Sequence, residues 1–325
     1  MRRLLFVLLT ANVFALGQNS QPLRLDETIE MLDVQGRIDH MSVDVKGERL
    51  FVSALGNNTV EVIDVKNGQR IHTISDMKQP QGVLYVPENN RLYIANDEDG
   101  TVRILDGTTF KPLQTLDYGD DADNLRYDSE HHHVYVGYGS GGLGEIDADG
   151  QKNGEIKLDA HPESFQLEKN SSRTYVNLPK SFKIAVVDRE KRAVLQTWRT
   201  DGATANYPMA LDEADHRLFV VARFPARLLV FDTNTGKIIQ SLSAVGDCDD
   251  VFYDKKRKKI YASGGEGAIS VFEEQGADHY KENARIATVK GARTSFFSPE
   301  LDRFYLAVRR QESQPAKIQV FEPTQ

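Results

Sequence analysis

Carboxylate side chains recur at one position of a repeat in this chain, ten residues before a basic residue or a histidine. In order along the sequence, the residues at this position are Asp39, Gln81, Asp123, Glu163, Tyr207, Asp249 and Arg293. The residues that directly follow them are His40, Gly82, Asn124, Ser164, Pro208, Asp250 and Thr294. If the repeats surround a common axis, these side chains meet there and form a site built mainly of oxygen donors.

Carboxylate and amide oxygens are the donors that hard divalent cations prefer. The favoured cation is therefore Ca²⁺ or Mg²⁺, and the predicted ligands are Asp39, Asp123, Glu163 and Asp249, with Asn124 assisting.

Two further interpretations stay open. His40 and His161 lie close to the same positions, and imidazole nitrogens would make Zn²⁺ or another transition metal the less favoured alternative. A third interpretation needs no cation, because the acids would accept hydrogen bonds from turn N–H groups and pair with Arg37 and Arg293.

The elements that must position these side chains are marked by an aromatic residue with a basic residue or histidine two positions earlier. The aromatic residues are Phe51, Tyr93, Tyr135, Tyr175, Phe219, Tyr261 and Tyr305. Their partners are Arg49, Arg91, His133, Arg173, Arg217, Lys259 and Arg303. The spacing of 40 to 44 residues is typical of a propeller blade, a small sheet that cannot bury both of its faces alone. The sequence therefore predicts an all-β fold, a seven-bladed β-propeller with four-stranded blades.

The strands of the first blade are predicted from alternating apolar and polar residues between turn sequences. They cover residues 41–45, 49–54, 60–64 and 69–74.

The last repeat ends after its third strand, whereas residues 28–32 have the pattern of an outer strand. We predict that this N-terminal strand closes the last blade and so removes the inner edges of the ring.

Three segments resemble a known family. Gly56–Asp64, Tyr93–Asn96 and Thr233–Gly236 are similar to the YVTN-type repeats of YncE-like propellers, and the resemblance extends over the chain from residue 18. The matching residues belong to strands and turns, so the resemblance implies the fold and leaves the activity open. Relatives within the group include surface-layer proteins and lactonases.

The N-terminus has the pattern of an export signal. Arg2 and Arg3 precede the apolar residues Leu4–Leu16, and a small-residue cleavage motif ends at Gly17. We predict a signal peptide at residues 1–17, a single propeller domain at 18–325, and a periplasmic or secreted location. The apolar run is shorter than the roughly 20 residues that a membrane span needs.

The charge and the cysteine content of the chain limit the kinds of partner and chemistry that are expected. The 325-residue chain has a formal charge of −8, which argues against nucleic acid as a partner. Cys248 is the only cysteine, so no intrachain disulfide can form, and its acidic neighbours disfavour a reactive thiolate.

The leading hypothesis is an exported propeller that binds a protein or a small molecule through the loops at the mouth of its channel, without catalysis. The candidate ligand-binding residues are Asp39, His40, Asp123, Asn124, His161, Glu163, Asp249, Asp250 and Arg293. The alternative is a metal-assisted hydrolase of lactone-type substrates, in which Glu163 or Asp249 would activate water.

Overall fold

Blades of antiparallel strands surround a central channel. The structure, a computed structural model, describes residues 21–276 and 278–325, so the signal peptide predicted at 1–17 lies outside the described residues. Within the described ranges the strands form seven four-stranded sheets, and the predicted seven-bladed β-propeller is confirmed. We find no helix in the same ranges that combines the length and the apolar character needed to cross a bilayer.

The strands follow one another in blade order. The first strand is β1 (Leu23–Met31). Blade one contains β2 (Met41–Asp44), β3 (Arg49–Ala54), β4 (Thr59–Asp64) and β5 (Gln69–Ile74). Blade two contains β6 (Pro80–Val86), β7 (Arg91–Asn96), β8 (Thr101–Asp106) and β9 (Pro112–Asp117). Blade three contains β10 (Ala122–Asp128), β11 (His133–Tyr138), β12 (Gly142–Ile146) and β13 (Lys152–Lys157).

The remaining blades continue the order. Blade four contains β14 (Phe165–Leu167), β15 (Arg173–Leu178), β16 (Lys183–Asp188) and β17 (Ala193–Arg199). Blade five contains β18 (Thr204–Asp212), β19 (Arg217–Phe224), β20 (Ala226–Asp232) and β21 (Ile238–Ser243). Blade six contains β22 (Cys248–Asp254), β23 (Lys259–Gly264), β24 (Ala268–Gly276) and β25 (His279–Ala287). Blade seven contains β26 (Ser295–Ser298), β27 (Arg303–Val308) and β28 (Ala316–Pro323). The short 3₁₀ helices in the described part of the chain are Leu55–Asn57 and Pro179–Ser181.

The outer strand of blade seven comes from the other end of the chain. β1 pairs antiparallel with β28, so that Ile29 lies opposite Ile318 and Met31 opposite Ala316. Ile29 and Met31 are buried in a cluster that also contains Leu50 of blade one. The N-terminal strand therefore packs at the junction of the first and last blades.

The repeated aromatic residues are the centres of the packing between blades. Each of them is at most 3% exposed. Phe51 of blade one, for example, packs against Tyr85 and Phe110 of blade two, with ring centroids 5.7 and 6.2 Å apart. Burying such a side chain contributes roughly 1.5–3 kcal/mol, which accounts for an aromatic residue in every repeat.

The basic residue of the repeat connects strands and blades by charged hydrogen bonds. The Arg49 guanidinium lies 2.7 Å from the Asp44 carboxylate at the end of β2, and it donates to the Gly107 carbonyl oxygen of blade two at 2.8 Å. Arg173 and Glu168 form the equivalent pair in blade four, 2.8 Å apart. The innermost strands are thereby fixed at the end opposite the channel mouth.

Candidate functional site

The loops that enter the innermost strands enclose a cavity of about 320 Å³ at one opening of the channel, here named the mouth cavity. Every residue ten positions before the basic residue of its repeat lines this cavity: Asp39, Gln81, Asp123, Glu163, Tyr207, Asp249 and Arg293. The repeat therefore brings side chains from all blades to one place.

Most of the residues one position later face the channel as well. His40, Asn124 and Ser164 line both the mouth cavity and a deeper cavity of about 420 Å³, while Asp250 lines only the deeper one. Thr294 instead donates a hydrogen bond to the Ile38 carbonyl oxygen.

Irregular strand pairing explains why consecutive residues can face the same channel. The register shifts between Ala122 and Leu125 in blade three and between Cys248 and Asp250 in blade six. Such bulges interrupt the alternation of side chains and re-aim them, commonly beside functional sites.

Arginine side chains occupy one wall of the mouth cavity. Arg37 lies 2.6 Å from Asp39, and Asp249 is held between Arg223 and Arg293, with Arg293 Nε 3.0 Å from its Oδ2 atom. Asp39 and Asp249, two of the four predicted cation ligands, are thus in ion pairs of the kind that the cation-free interpretation expects. The four carboxylates do not form one coordination shell.

The acids on the opposite wall lack such partners. Among the described residues, Asp97, Asp121, Asp123 and Glu163 form no ion pair with lysine or arginine. Burial, followed by the carboxylates of Asp123 and Asp249, raises the pKa of Glu163 well above its ordinary value. Burial raises the pKa of Asp123 to about 7. These buried carboxylates are therefore costly to ionise unless a cation lies beside them.

His161 lies among these acids in a fixed orientation. Its Nδ1 atom contacts the Gly139 carbonyl oxygen and lies 3.4 Å from Asp121 Oδ2, while Nε2 lies 4.0 Å from Asp123 Oδ2. One ligand atom from each of Asp123, His161 and Glu163 lies within 4.8 Å of the others. The structure thus brings together His161 and two of the four predicted cation ligands, Asp123 and Glu163, and the binding of a cation stays a prediction.

His40 lies deeper, between three carboxylates. Its Nε2 atom is 3.7 Å from both Asp39 Oδ1 and Asp123 Oδ1, and its Nδ1 atom is 3.8 Å from Asp250 Oδ1. Burial, followed by the neighbouring Asp249, raises the pKa of Asp250 well above its ordinary value. His40 thus connects the mouth cavity with the acids of the deeper channel.

Sequence reasoning missed Asp121 as a member of the site. It precedes β10 in a left-handed turn with φ 41° and lies two residues before Asp123. Its nearness to Asp123 in the sequence is the available signal, because the left-handed turn and the bulge of β10 break the alternation of an extended strand. The contact of His161 with the Gly139 carbonyl oxygen has no signal in the sequence.

The single cysteine is not part of a reactive group. Cys248 is fully buried, and burial followed by the charges of Asp250 and Asp249 raises the pKa of its thiol well above the ordinary value. A thiolate nucleophile is disfavoured at this position.

Comparison with known proteins bears on the fold and the resemblance. No family model matches the chain. A Salmonella typhi protein with the name "Uncharacterized protein YncE" is 27% identical over 97 residues, which cover 30% of this chain and 27% of that protein. The Salmonella typhimurium protein of the same name is 26% identical over 97 residues. The chain thus matches about a quarter of the length of these curated relatives. Together with the seven-bladed ring, this similarity supports the resemblance to YncE-like propellers.

A solved structure matches the whole ring. One chain of a crystal structure of a mitotic checkpoint complex superimposes with a TM-score of 0.78, at 12% identity, over 99% of this chain and 98% of that one. At such an identity the match demonstrates the fold alone.

Proposed function

We propose that this protein is a binding protein whose ligand is a small, positively charged species held in the mouth cavity. The observation that carries the proposal is the charge of the lining. Among the described residues that line the cavity, six are acidic and three are arginines, a formal charge of −3 with the histidines neutral. A concave site of about 320 Å³ is at the small end of ligand pockets and suits a small ion or molecule.

The distribution of the charge supports a cation more than an anion. Asp39, Asp249 and the adjacent Asp247 pair with the three arginines of one wall. Among the described residues that line the cavity, the acids without a lysine or arginine partner are Asp97, Asp121, Asp123 and Glu163. A cleft of one sign of charge raises the local concentration of oppositely charged ligands. Export, expected from residues 1–17, would present this cleft to ligands outside the cytoplasm, and N-terminal sequencing of the protein from culture fractions would test it.

Isothermal titration calorimetry at pH 8 tests the proposal, with choline, putrescine and Zn²⁺ as probe cations and acetate as the anionic probe. We expect at least one cation to bind. Glu163→Gln should weaken that binding about tenfold or more, because the variant loses one charged contact, which contributes about 1.5–3 kcal/mol. Glu88→Gln is the matched control, since Glu88 is exposed in the turn between β6 and β7, away from the mouth. Binding of acetate alone, or equal binding by Glu163→Gln, would overturn the proposal.

His40 favours a second candidate function, the hydrolysis of lactone-type esters. Its ring lies between Asp250 and Asp123 and could accept a proton from water at the junction of the two cavities. Water would add to the lactone carbonyl carbon, the ring C–O bond would break, and the proton would pass to the leaving oxygen. Lactone turnover that is lost in Asp123→Asn and kept in Lys256→Ala would support this function, while no turnover by the wild-type protein would exclude it.

A further inference from the structure

We infer that the acidic wall of the mouth cavity is a site for a first-row transition metal of the Zn²⁺ type, with Asp123, His161 and Glu163 as ligands. The inference rests on the cation binding proposed above and names the class of cation. A metal held by these three side chains would have its remaining coordination positions on the cavity side, where a further ligand could bind.

The spacing of the donor atoms fits a small contraction around a metal. Ligand atoms about 2.0–2.1 Å from a tetrahedral Zn²⁺ lie about 3.3–3.4 Å from one another. His161 Nε2 and Asp123 Oδ2 are 4.0 Å apart, and one donor atom from each of Asp123, His161 and Glu163 lies within 4.8 Å of the others. Side-chain rotations that move the donor atoms by a few tenths of an ångström to about one ångström would bring them to these distances.

The orientation of His161 is that of a metal ligand. The Gly139 carbonyl oxygen can only accept a hydrogen bond, so Nδ1 carries the proton that it shares with this oxygen. In the neutral ring, Nε2 then directs its lone pair at the Asp123 carboxylate. Two electron-rich groups face each other in this arrangement, and a cation between them would turn the repulsion into attraction. Metal-binding histidines generally donate their second N–H to a carbonyl or carboxylate oxygen in this way.

An independent observation is the presence of buried oxygen atoms without hydrogen-bond partners. Asn124 is 2% exposed and lines the mouth cavity, and its Oδ1 atom accepts no hydrogen bond from the described residues. The same holds for Oδ1 of Asp123, which is 4% exposed. Buried oxygens in native proteins nearly always have a partner, and both of these residues line the cavity in which a cation would be held.

The donor types favour a transition metal over Ca²⁺ or Mg²⁺. The all-oxygen shell predicted from the sequence would need Asp39 and Asp249, and both are held by arginines. The available set combines one imidazole with carboxylates, and imidazole suits Zn²⁺ and its neighbours whereas Ca²⁺ and Mg²⁺ prefer oxygen alone. The rival explanation is a protonated His161 that pairs directly with Asp123.

Competition titration of the chelator-treated protein with Zn²⁺, Ca²⁺ and Mg²⁺ against a chromophoric chelator tests the inference. We expect one Zn²⁺ per chain, with Ca²⁺ and Mg²⁺ bound at least about 100-fold more weakly. His161→Ala and the isosteric Asp123→Asn should each weaken Zn²⁺ binding beyond the about 10–100-fold that second-shell changes produce. Circular dichroism confirms folding of each variant. His133→Ala is the matched control, because His133 lies with Glu145 at the opposite face and should leave Zn²⁺ affinity unchanged.

The outcomes separate the inference from the function on which it rests. Zn²⁺ affinity that survives His161→Ala and Asp123→Asn, or that falls in His133→Ala, would overturn the inference. If Zn²⁺ does not bind but an organic cation does, and the binding of that cation depends on Glu163, the metal-site inference is overturned and the proposed cation-binding function stands. Absence of both would overturn the two together.

Discussion

Arg189 is the side chain whose removal tests most sharply how the blades are held together. It lies in the turn after β16 and is 5% exposed. Its Nε atom donates to Asp128 Oδ2 in blade three at 3.1 Å. Among the described residues its other nitrogens reach acceptors in blade four: the carbonyl oxygens of Glu168, Ser171 and Arg173 and the hydroxyl of Thr174. The guanidinium therefore joins two blades away from the mouth.

The expected loss in the free energy of unfolding follows from the buried groups that lose their partner in Arg189→Met. Methionine keeps much of the apolar stem, but the Asp128 carboxylate, 6% exposed, loses its buried partner and retains His131 at 3.1 Å. Burial acts to raise the pKa of Asp128, and Arg189 and His131 together outweigh it and hold that pKa below its ordinary value. Breaking a buried ion pair by removing one partner costs about 3–5 kcal/mol. We expect a loss of that size in the free energy of unfolding, or about 5–10 °C in Tm.

Urea unfolding followed by the fluorescence of Trp198 measures the effect. Lys191→Met is the control, since the Lys191 side chain is 73% exposed in its pair with Asp188 and should contribute little to stability. The double variant Arg189→Met with Asp128→Asn should lose less than the sum of the two single variants, because the stranded charge is removed. A loss below about 1 kcal/mol in Arg189→Met, equal to the control, would refute the reasoning.

Three further predictions concern the ring and its mouth. Deletion of residues 23–31 exposes the edge of β28 and removes buried apolar side chains, so we expect loss of the cooperative thermal transition; an unchanged melting curve would contradict this. The Arg257 guanidinium holds the pKa of Asp302 well below its ordinary value, so the pair stabilises the protein above about pH 4 and the contribution disappears as pH falls through the folded-state pKa. Asp302→Asn should therefore lower Tm at pH 7 but not at strongly acidic pH, and an equal effect at both would argue against the pair. Asp123→Asn should raise the Tm of the chelator-treated protein at pH 8, because burial of the charged carboxylate destabilises the fold; a lower Tm would show that the negative charge is compensated.

The fold could be predicted in some detail because its determinants are local and repeated. The predicted strand 49–54 matches β3, and the predicted strand 69–74 matches β5. The ten-residue offset between the acidic position and the basic residue is preserved by the innermost hairpin of each blade, so the residues at the mouth could be identified without coordinates.

The chemistry of the mouth could not be predicted to the same extent. Whether Asp249 is available as a ligand depends on Arg223 and Arg293 of the neighbouring blades. Arg293 occupies the same repeat position as Asp249 and could be expected as a partner, whereas Arg223 lies outside that position. The bulges at the start of the innermost strands also remove the alternation from which side-chain direction is normally inferred. Sequence reasoning therefore identified the residues and left their pairing open.

The most direct test of the account is a crystal of the chelator-treated protein soaked in Zn²⁺, with anomalous differences measured at the zinc absorption edge. We expect one strong peak in the mouth cavity, about 2.0–2.1 Å from His161 Nε2 and in contact with the carboxylates of Asp123 and Glu163. A cavity with no anomalous peak, and with His161 paired directly to Asp123 instead, would contradict it.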